Sequence, residues 1–310
     1  MQPIRWRKLG QVFAATGDRP WSQTHAQVPT ALVMNDRIRV FYSTRDSGNR
    51  TSTGFFETEA SDPTRLSYVH DRPVLSPGVP GAFDDCGAMA SAVVREGAET
   101  LLYYVGWNVR NTVPFHNSIG LAVSRDDSVS FERVSAGPIL DRCAIDPYFC
   151  TTAHVRRSDR WEMWYSSGTE WRRTESKLES LYHIKYATSE NGIDWRRDGV
   201  VAIDFNSDIE GGLVRPTVVE ADGGLRMWYS RRSWHNYHGG ASSYRIGYAE
   251  SSDGLQWRRL DAAAGIDVSE SGWDAEMIEY PNTVWVDGKL YLFYNGNGFG
   301  NTGIGVAIAE

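Results

Sequence analysis

Acidic side chains recur along this chain at a spacing that could assemble an acid–base site. Asp146 lies 62 residues after Asp84 and 61 after Asp85, and Glu210 follows after another 64. Carboxylates that share one cavity repel one another, and this repulsion raises the pKa of at least one of them. A carboxyl that stays protonated can act as a general acid beside an ionised base. Cleavage of a glycosidic bond requires this division of labour.

Two other interpretations of these carboxylates remain open. A hard cation such as calcium binds carboxylate oxygens and water, so a structural or axial calcium ion is one alternative. The other is a buried set of hydrogen-bonding groups, in which the acidic residues of the connecting loops cap strands. Apart from this calcium ion, no cofactor is expected, and no metal-binding residues are assigned.

The spacing of the carboxylates is that of a repeat that runs the length of the chain. Five alternating apolar runs close on a tyrosine, at Tyr42, Tyr104, Tyr165, Tyr229 and Tyr294. Such regular steps indicate a repeat architecture. Each repeat contains four short segments of strand character, and no stretch keeps a helical period. The prediction is an all-β protein, a five-bladed β-propeller with four-stranded blades that forms a single domain over residues 1–310.

The two ends of the chain are predicted to complete one blade. The fourth strands of the third and fourth repeats begin at Trp195 and Trp257, whereas the fifth repeat stops after its third strand, near Ile308. A segment with the same start stands at Trp6 instead. The N-terminal strand is therefore expected to close the last blade, which removes two open sheet edges.

One face of this ring is expected to hold the functional residues. The loops before the first strand and after the second strand of each blade lie together there, and loops on a rigid scaffold commonly carry function. Arginines on this face suit a carboxylate or phosphate group, and tryptophans can stack on a sugar ring. For Arg215, an ion pair with Glu210 or Glu279 is the alternative. The candidate substrate-binding residues are His25, Arg45, Trp107, Trp171, Arg215, Arg231, Trp234, His235, Glu279 and Asn295.

Composition narrows the class of partner. The net charge of −7 gives no basic footprint, so neither nucleic acid nor an anionic membrane is an expected partner. The sequence has no N-terminal apolar segment and no run of 18 apolar residues. Its three cysteines are an odd number, and reduced thiols fit the cytoplasm, which is the expected location. The oligomeric state is not indicated.

The motifs resemble those of the five-bladed propeller glycosidases, a superfamily that includes glycoside hydrolase families 43, 32 and 130. Ile145-Asp146-Pro147 and Glu210-Gly211-Gly212 are similar to elements of family 43, and the order Asp, Asp, Glu over successive blades is the same. The resemblance implies that Asp84 or Asp85 is the general base, that Asp146 orients and tunes the acid, and that Glu210 is the acid.

The sequence also departs from that family pattern. At the place in the first blade where the family usually has its base, the sequence has His25, Ala26 and Gln27 and no carboxylate, and Asp85 is followed by Cys86 instead of proline.

The expected function is cleavage of a glycosidic bond in a small, anionic or nucleotide-linked sugar, with inversion if the reaction is hydrolysis. The alternative is a non-hydrolytic sugar-binding or sugar-modifying propeller, including a phosphorylase, that has lost the base.

Overall fold

The structure is a computed structural model that describes residues 4–175 and 177–310. In these ranges the regular elements are strands, apart from the short helical segment α1 (Asn297–Gly300) and two 3-10 turns at Gly240–Ser242 and Asp261–Ala263. The prediction of an all-β protein is confirmed. None of the helical segments in the described ranges is long and apolar enough to cross a membrane.

The strands follow one another in units of four along the chain, after the first strand β1 (Trp6–Phe13). The first unit contains β2 (Thr24–Val33), β3 (Arg37–Arg45), β4 (Thr51–Glu59) and β5 (Leu66–Val69). The second contains β6 (Gly87–Glu96), β7 (Glu99–Val109), β8 (Phe115–Ser124) and β9 (Glu132–Arg133). The third contains β10 (Cys150–Arg157), β11 (Trp161–Arg173), β12 (Leu178–Ser189) and β13 (Val201–Ile203). The fourth contains β14 (Glu210–Ala221), β15 (Gly224–Ser233), β16 (Arg245–Ser251) and β17 (Arg258–Arg259). The last strands are β18 (Glu279–Val286), β19 (Lys289–Asn295) and β20 (Ile304–Ala309).

Within each unit, consecutive strands pair antiparallel. Strand β1 pairs antiparallel with β20, so that the fifth unit has the order β1-β20-β19-β18. One parallel pair, Thr51 with Gly87, joins the first two units into a single sheet, and Tyr182 with Gly212 joins the third and fourth in the same way.

The first strands of the five units contact one another in a cycle. Strand β2 contacts β6, β6 contacts β10, β10 contacts β14, β14 contacts β18, and β18 contacts β2 again. Side chains bridge these strands: the hydroxyls of Thr217 and Thr283 lie 2.8 Å apart, and the backbone N–H of Ala31 donates to Asn282 over 2.8 Å. These contacts favour the predicted ring of five blades closed by β1, whose blade count and closure remain predictions.

The five repeated tyrosines form the inner part of the core. Tyr104, for example, is fully buried, and its ring lies across from Gly120 in the register of β7 with β8. A Cβ atom at position 120 would collide with this ring, so the glycine makes room for the tyrosine. Apolar clusters between neighbouring units bury the remaining faces of the sheets, which gives the loops a rigid base.

Candidate functional site

A cavity of about 600 Å³ opens where the first strands of all five units begin. Each first strand contributes to its wall, through Val28, Met89, Thr151, Val214 and Tyr280. Because these strands contact one another in a cycle, the cavity lies at the centre of that cycle, at the face to which sequence reasoning assigned the functional loops. We call it the axial cavity.

The wall of the axial cavity combines eight Phe, Tyr and Trp residues with ten polar or charged ones. Apolar and aromatic surfaces with placed polar groups are typical of small-molecule sites, and flat rings can pack against the apolar faces of a sugar. One of these rings, Trp107, is fixed because its indole N–H donates a hydrogen bond to Thr51 over 3.0 Å. The aromatic residues are Trp107, Phe115, Phe149, Tyr182, Tyr237, Tyr244, Tyr280 and Phe299.

Arg45, at the end of β3, brings a positive charge to the axial cavity. Its guanidinium donates only two long hydrogen bonds, each of 3.3 Å, to the side-chain oxygens of Gln27 and Asn49. Within the described ranges, no carboxylate oxygen lies within 4 Å of it. Burial lowers the pKa of Arg45, which reflects the cost of holding this cation away from water. Arg45 therefore retains hydrogen-bond donors for a ligand.

Arg232, a second cationic residue of the wall, is already engaged by the protein. Its Nε donates to the hydroxyls of Tyr182 and Tyr244 over 3.0 and 3.2 Å, and its two other nitrogens donate to backbone carbonyls over 2.8 and 2.9 Å. The ring of Tyr237 stacks on the guanidinium with 3.8 Å between them. Arg232 thus contributes charge and holds the aromatic wall together.

Glu279 lies behind this wall, at the start of β18. Its side chain is 0% exposed, and neither carboxyl oxygen has a hydrogen-bond partner within the described residues. Burial raises the pKa of Glu279 well above its usual value, although the charges of Arg45 and Arg232 act in the opposite direction. Glu279 also acts electrostatically on Tyr244 and Tyr280, both of which line the axial cavity. It is thus a buried carboxyl next to the cavity, and its burial favours the neutral form.

The predicted catalytic carboxylates lie elsewhere, inside their own units. Asp84 is 1% exposed, accepts a hydrogen bond from Tyr104 over 3.1 Å, and forms an ion pair with Arg133. Asp146 is 0% exposed and is bound in the same way by Tyr165 over 3.0 Å and by Arg197 over 2.8 Å.

Electrostatics in the third unit agree with this pairing. Burial favours the neutral form of Asp146, but hydrogen bonds from Ser167 and Lys185 and the charge of Lys185 outweigh it and hold its pKa below the usual value. Repulsion among clustered carboxylates would have raised this pKa, so the expected cluster of like charges does not form around Asp146.

The fourth and fifth units contain the same kind of contact. Both oxygens of Glu210 accept hydrogen bonds of 2.8 Å from Arg259. Asp274 accepts from the hydroxyl of Tyr294 over 3.0 Å and from Lys8 over 2.7 Å, which fastens β1 to the fifth unit. We call this contact the blade clip: a buried carboxylate bound by a cation from the fourth strand or its flanking segment, and in most units by the repeated tyrosine.

The structure therefore does not bring Asp84, Asp146 and Glu210 together in the axial cavity. Asp85 is partly exposed and accepts a hydrogen bond of 2.9 Å from the backbone of Gly81. No Asp or Glu is among the described residues that line the axial cavity. Catalytic roles for these four residues remain predictions, and the geometry favours the alternative in which loop carboxylates are buried hydrogen-bonding groups.

Among the predicted substrate-binding residues, Arg45 and Trp107 line the axial cavity. Trp171 lies one layer out, with its ring centre 5.0 Å from that of Phe115. His25 is close enough to Arg45 for burial and this charge to lower the pKa of the histidine to about 4.

Two other predicted binding residues are buried and form hydrogen bonds that hold strands together. Arg215 is 0% exposed and donates to the backbone carbonyl of Pro29 over 2.8 Å, so it pairs with neither Glu210 nor Glu279. Asn295 is buried and accepts from the backbone N–H of Val28 over 2.8 Å.

The remaining candidates, on and after β15, also lie outside the lining of the axial cavity. Arg231 approaches Asp261 at 3.8 Å. The ring of Trp234 packs on the guanidinium of Arg172 with 5.0 Å between them and against the ring of His235.

Sequence reasoning missed most of the aromatic wall. Tyr280 could have been found, because it directly follows Glu279 at the start of a first strand. Tyr182 and Phe115 lie on third strands, whereas the sequence predicted site residues only in the loops around first and second strands.

Within the described ranges, no group of three or more His, Cys, Asp or Glu side chains could hold a metal ion. An axial calcium ion therefore stays an untested prediction.

Comparison with known proteins gives a relative that covers the whole chain. No protein-family model matches. A Mycobacterium tuberculosis protein, described as uncharacterized protein Rv1502 in one strain and MT1551 in another, is 38% identical over 309 residues, which are 99% of this chain and 100% of the relative.

Solved structures share the fold at low sequence identity. One described as a complex of BT0996 and RGII has a TM-score of 0.72 at 18% identity, over 99% of this chain and 91% of the other. A structure from the GH130 family, described as mannoside phosphorylases that include glycoside hydrolases for β-1,2 mannosidic linkages in Candida mannan, has a TM-score of 0.71 at 16% identity, over 99% and 94%. A thermostable family-43 glycoside hydrolase has a TM-score of 0.69 at 17% identity, over 96% and 91%. The resemblance to the propeller glycosidase superfamily is thereby confirmed for the fold.

Proposed function

Because the chain belongs to the family of the Mycobacterium tuberculosis protein Rv1502 and has the fold of the propeller glycosidases, we propose that it binds a small anionic sugar compound in the axial cavity. The lining of that cavity carries the proposal. Aromatic rings surround a volume suited to a small ligand, and Arg45 offers donors that no carboxylate of the described residues occupies. Arginine binds carboxylate and phosphate groups with two parallel hydrogen bonds.

The reaction that this lining suits is one without a carboxylate base. Hydrolysis by inversion needs an ionised carboxylate that activates water, and no Asp or Glu of the described residues lines the axial cavity. Phosphate is itself a nucleophile and requires no such base: its oxygen forms a bond to the anomeric carbon as the glycosidic C–O bond breaks, and the proton of hydrogen phosphate goes to the departing oxygen. Arg45 is suited to hold it, so the sugar-modifying alternative, with phosphorolysis of a glycosidic bond as its reaction, fits the lining better than two-carboxylate hydrolysis does.

Hydrolysis remains a second candidate because of one observation. Glu210 borders an open, polar pocket of about 690 Å³ outside the axial cavity, together with Glu170, Arg172, Asn206 and Asp208. In that case Glu210 would act as the acid, but Asp84, Asp85 and Asp146, its predicted partners, do not line that pocket. Also against this, both oxygens of Glu210 already accept hydrogen bonds from Arg259 inside the fourth unit.

Turnover of defined substrates distinguishes these candidates. Glycosides, uronides, sugar phosphates and nucleotide sugars are incubated with the protein, with and without inorganic phosphate, and the products are identified by mass spectrometry. The same panel is run with Arg45→Met, which changes the axial cavity, and with Glu210→Gln, which changes the open pocket outside it.

The proposal expects phosphate-dependent turnover, or binding without turnover, that Arg45→Met abolishes and folded Glu210→Gln retains. Turnover without phosphate would establish the hydrolase instead, if Glu210→Gln abolishes it and Arg45→Met retains it.

The cytoplasmic location and the absence of nucleic-acid and membrane partners stay predictions from composition.

A further inference from the structure

The axial cavity has an excess of positive charge among the described residues that line it. Arg45 and Arg232 line it, and no carboxylate of the described residues lies within ion-pair distance of either. The acid on which both guanidiniums act is Glu279, which lies behind the wall. Two cations therefore face the cavity next to a carboxyl that makes no hydrogen bond within the described ranges.

The groups that interact electrostatically with Glu279 are the two arginines and two tyrosines. Arg45 comes from β3 and Arg232 from β15, while Tyr244 precedes β16 and Tyr280 follows Glu279 on β18. Burial keeps these tyrosines uncharged by raising the pKa of Tyr244 and of Tyr280 well above the usual value.

Two histidines complete the titratable groups beside the arginines: burial and the charge of Arg45 lower the pKa of His25 to about 4, and burial lowers the pKa of His238 near Arg232. Glu279 is thus the acid of this cluster.

The protonation state of Glu279 decides what the arginines can bind. An ionised carboxylate at this place would attract Arg45 and repel an incoming anion, whereas a neutral carboxyl leaves Arg45 available. A bound anion would in turn favour the neutral carboxyl, because two negative charges near one another disfavour ionisation. Binding of an anion and protonation of Glu279 therefore support each other.

We propose that Glu279 is a positioning residue that selects for anionic ligands: in its neutral form it leaves Arg45 free to receive the negative group of a sugar compound, and in its ionised form it blocks that binding. This inference rests on the proposed function, because it concerns the ligand of the same cavity. The proton remains on Glu279 throughout binding, so no group is transferred.

The protonation of Glu279 can be measured without any ligand. A protonated carboxylic acid has a C=O stretching band that a carboxylate lacks, and infrared difference spectra of the wild type minus Glu279→Gln isolate the band of this residue. The matched control is Glu276→Gln, which changes an exposed acid three positions earlier in the same segment. We expect the band at pH 7 in the difference spectrum of Glu279→Gln and not in that of the control. A carboxylate band at Glu279 instead would overturn the proposal.

Binding is then measured by calorimetry with methyl glucuronide and with a glucose sulfate, whose single charges stay constant from about pH 6 to about pH 9. Methyl glucoside serves as the neutral comparison. In the wild type, the affinity for the anionic sugars is expected to fall by about tenfold per pH unit above the pKa of Glu279. In Glu279→Gln, which mimics the neutral acid, it should stay constant.

The outcomes separate the two proposals. If the anionic sugars bind the wild type, Glu279→Gln and Glu276→Gln with the same pH dependence, the role of Glu279 is overturned. The proposed function is left standing by that result. A protonated Glu279 in a protein that binds none of the sugars would overturn the proposed function and, with it, the selection of ligands. Should Glu279→Gln fail to fold, a wild-type affinity for the anionic sugars that rises with pH still contradicts the proposal, because ionisation of Glu279 would then favour their binding.

Discussion

A guanidinium nitrogen of Arg197 lies 2.8 Å from a carboxylate oxygen of Asp146, inside the third unit and away from the axial cavity. The two residues are 51 positions apart and tie the loop before a first strand to the segment that leads into the fourth strand. Asp84 with Arg133 and Asp274 with Lys8 form the same contact in other units. The carboxylates whose spacing resembles that of a catalytic set, such as Asp84 and Asp146, therefore also form a repeated structural contact.

Loss of the blade clip is expected to destabilise the fold. Asp146→Asn removes the charge that Lys185 and Arg197 share, and breaking a buried ion pair typically costs about 3–5 kcal/mol because the remaining charge stays buried. Urea unfolding followed by tryptophan fluorescence measures this. The matched control is Asp85→Asn, a partly exposed carboxylate in another loop, which should change the free energy of unfolding by less than about 0.5 kcal/mol. Equal stability of both variants would refute the clip.

The blade clip also predicts how stability depends on pH. The pKa of Asp146 is lower in the folded protein than its ordinary value of 3.8, so its stabilising contribution is fully present above that value. The contribution is lost as the pH falls through the lower, folded pKa, because the unfolded chain binds the proton first. The free energy of unfolding of the wild type should therefore fall more steeply below about pH 4 than that of Asp146→Asn. Parallel pH profiles for the two proteins would show that Asp146 is not held in its charged form.

Arg45 is predicted to account for most of the affinity for an anionic group. Replacement by methionine keeps much of the side-chain length and removes donors worth about 1.5–3 kcal/mol, so the affinity for an anionic sugar should fall by about 10–100-fold. The affinity for the neutral comparison sugar should change little. Arg50→Met is the control, because Arg50 is exposed and pairs with Asp46 outside the cavity. A loss of similar size in the control would indicate a general effect of charge.

Trp107 is predicted to contribute stacking. Trp107→Ala should weaken the binding of both neutral and anionic sugars by about fivefold, which corresponds to about 1 kcal/mol. Trp285→Ala removes a half-exposed tryptophan near the other end of β18 and serves as the control for fluorescence and for stability. Ligand-induced quenching that disappears in Trp107→Ala and persists in Trp285→Ala would locate the ligand. The reverse pattern would place it outside the axial cavity.

Repetition explains which parts of this protein can be predicted from its sequence. Tyr104, Tyr165 and Tyr294 recur because every unit needs the same buried ring, so the units could be counted and the all-β class assigned. The same logic applies to Asp84 and Asp146: a residue type that recurs with the period of the scaffold is more often part of the scaffold. The direction of these side chains depends on cations about 50 residues further along the chain, which their spacing alone does not reveal.

The candidate site, by contrast, consists largely of residues that do not repeat. Tyr280 has no counterpart of the same type at the matching place in the other units, and Arg45 has one only in the fourth unit, where Arg232 also stands three residues after the repeated tyrosine. The wall also takes Tyr182 from a third strand. Glu279 could be named from the sequence because it begins a first strand. The rise of its pKa follows from burial, at a place where Arg45 and Arg232 are its charged neighbours, and sequence spacing does not show that environment.

A crystal structure of the protein with a bound sugar phosphate or uronide would test the central claim most directly. The location of the axial cavity predicts a sugar ring against Trp107 and Tyr280, with the anionic group on the guanidinium of Arg45. A ligand held instead in the pocket of Glu170, Arg172 and Glu210, with the axial cavity free of sugar, would contradict this account and favour carboxylate chemistry at Glu210.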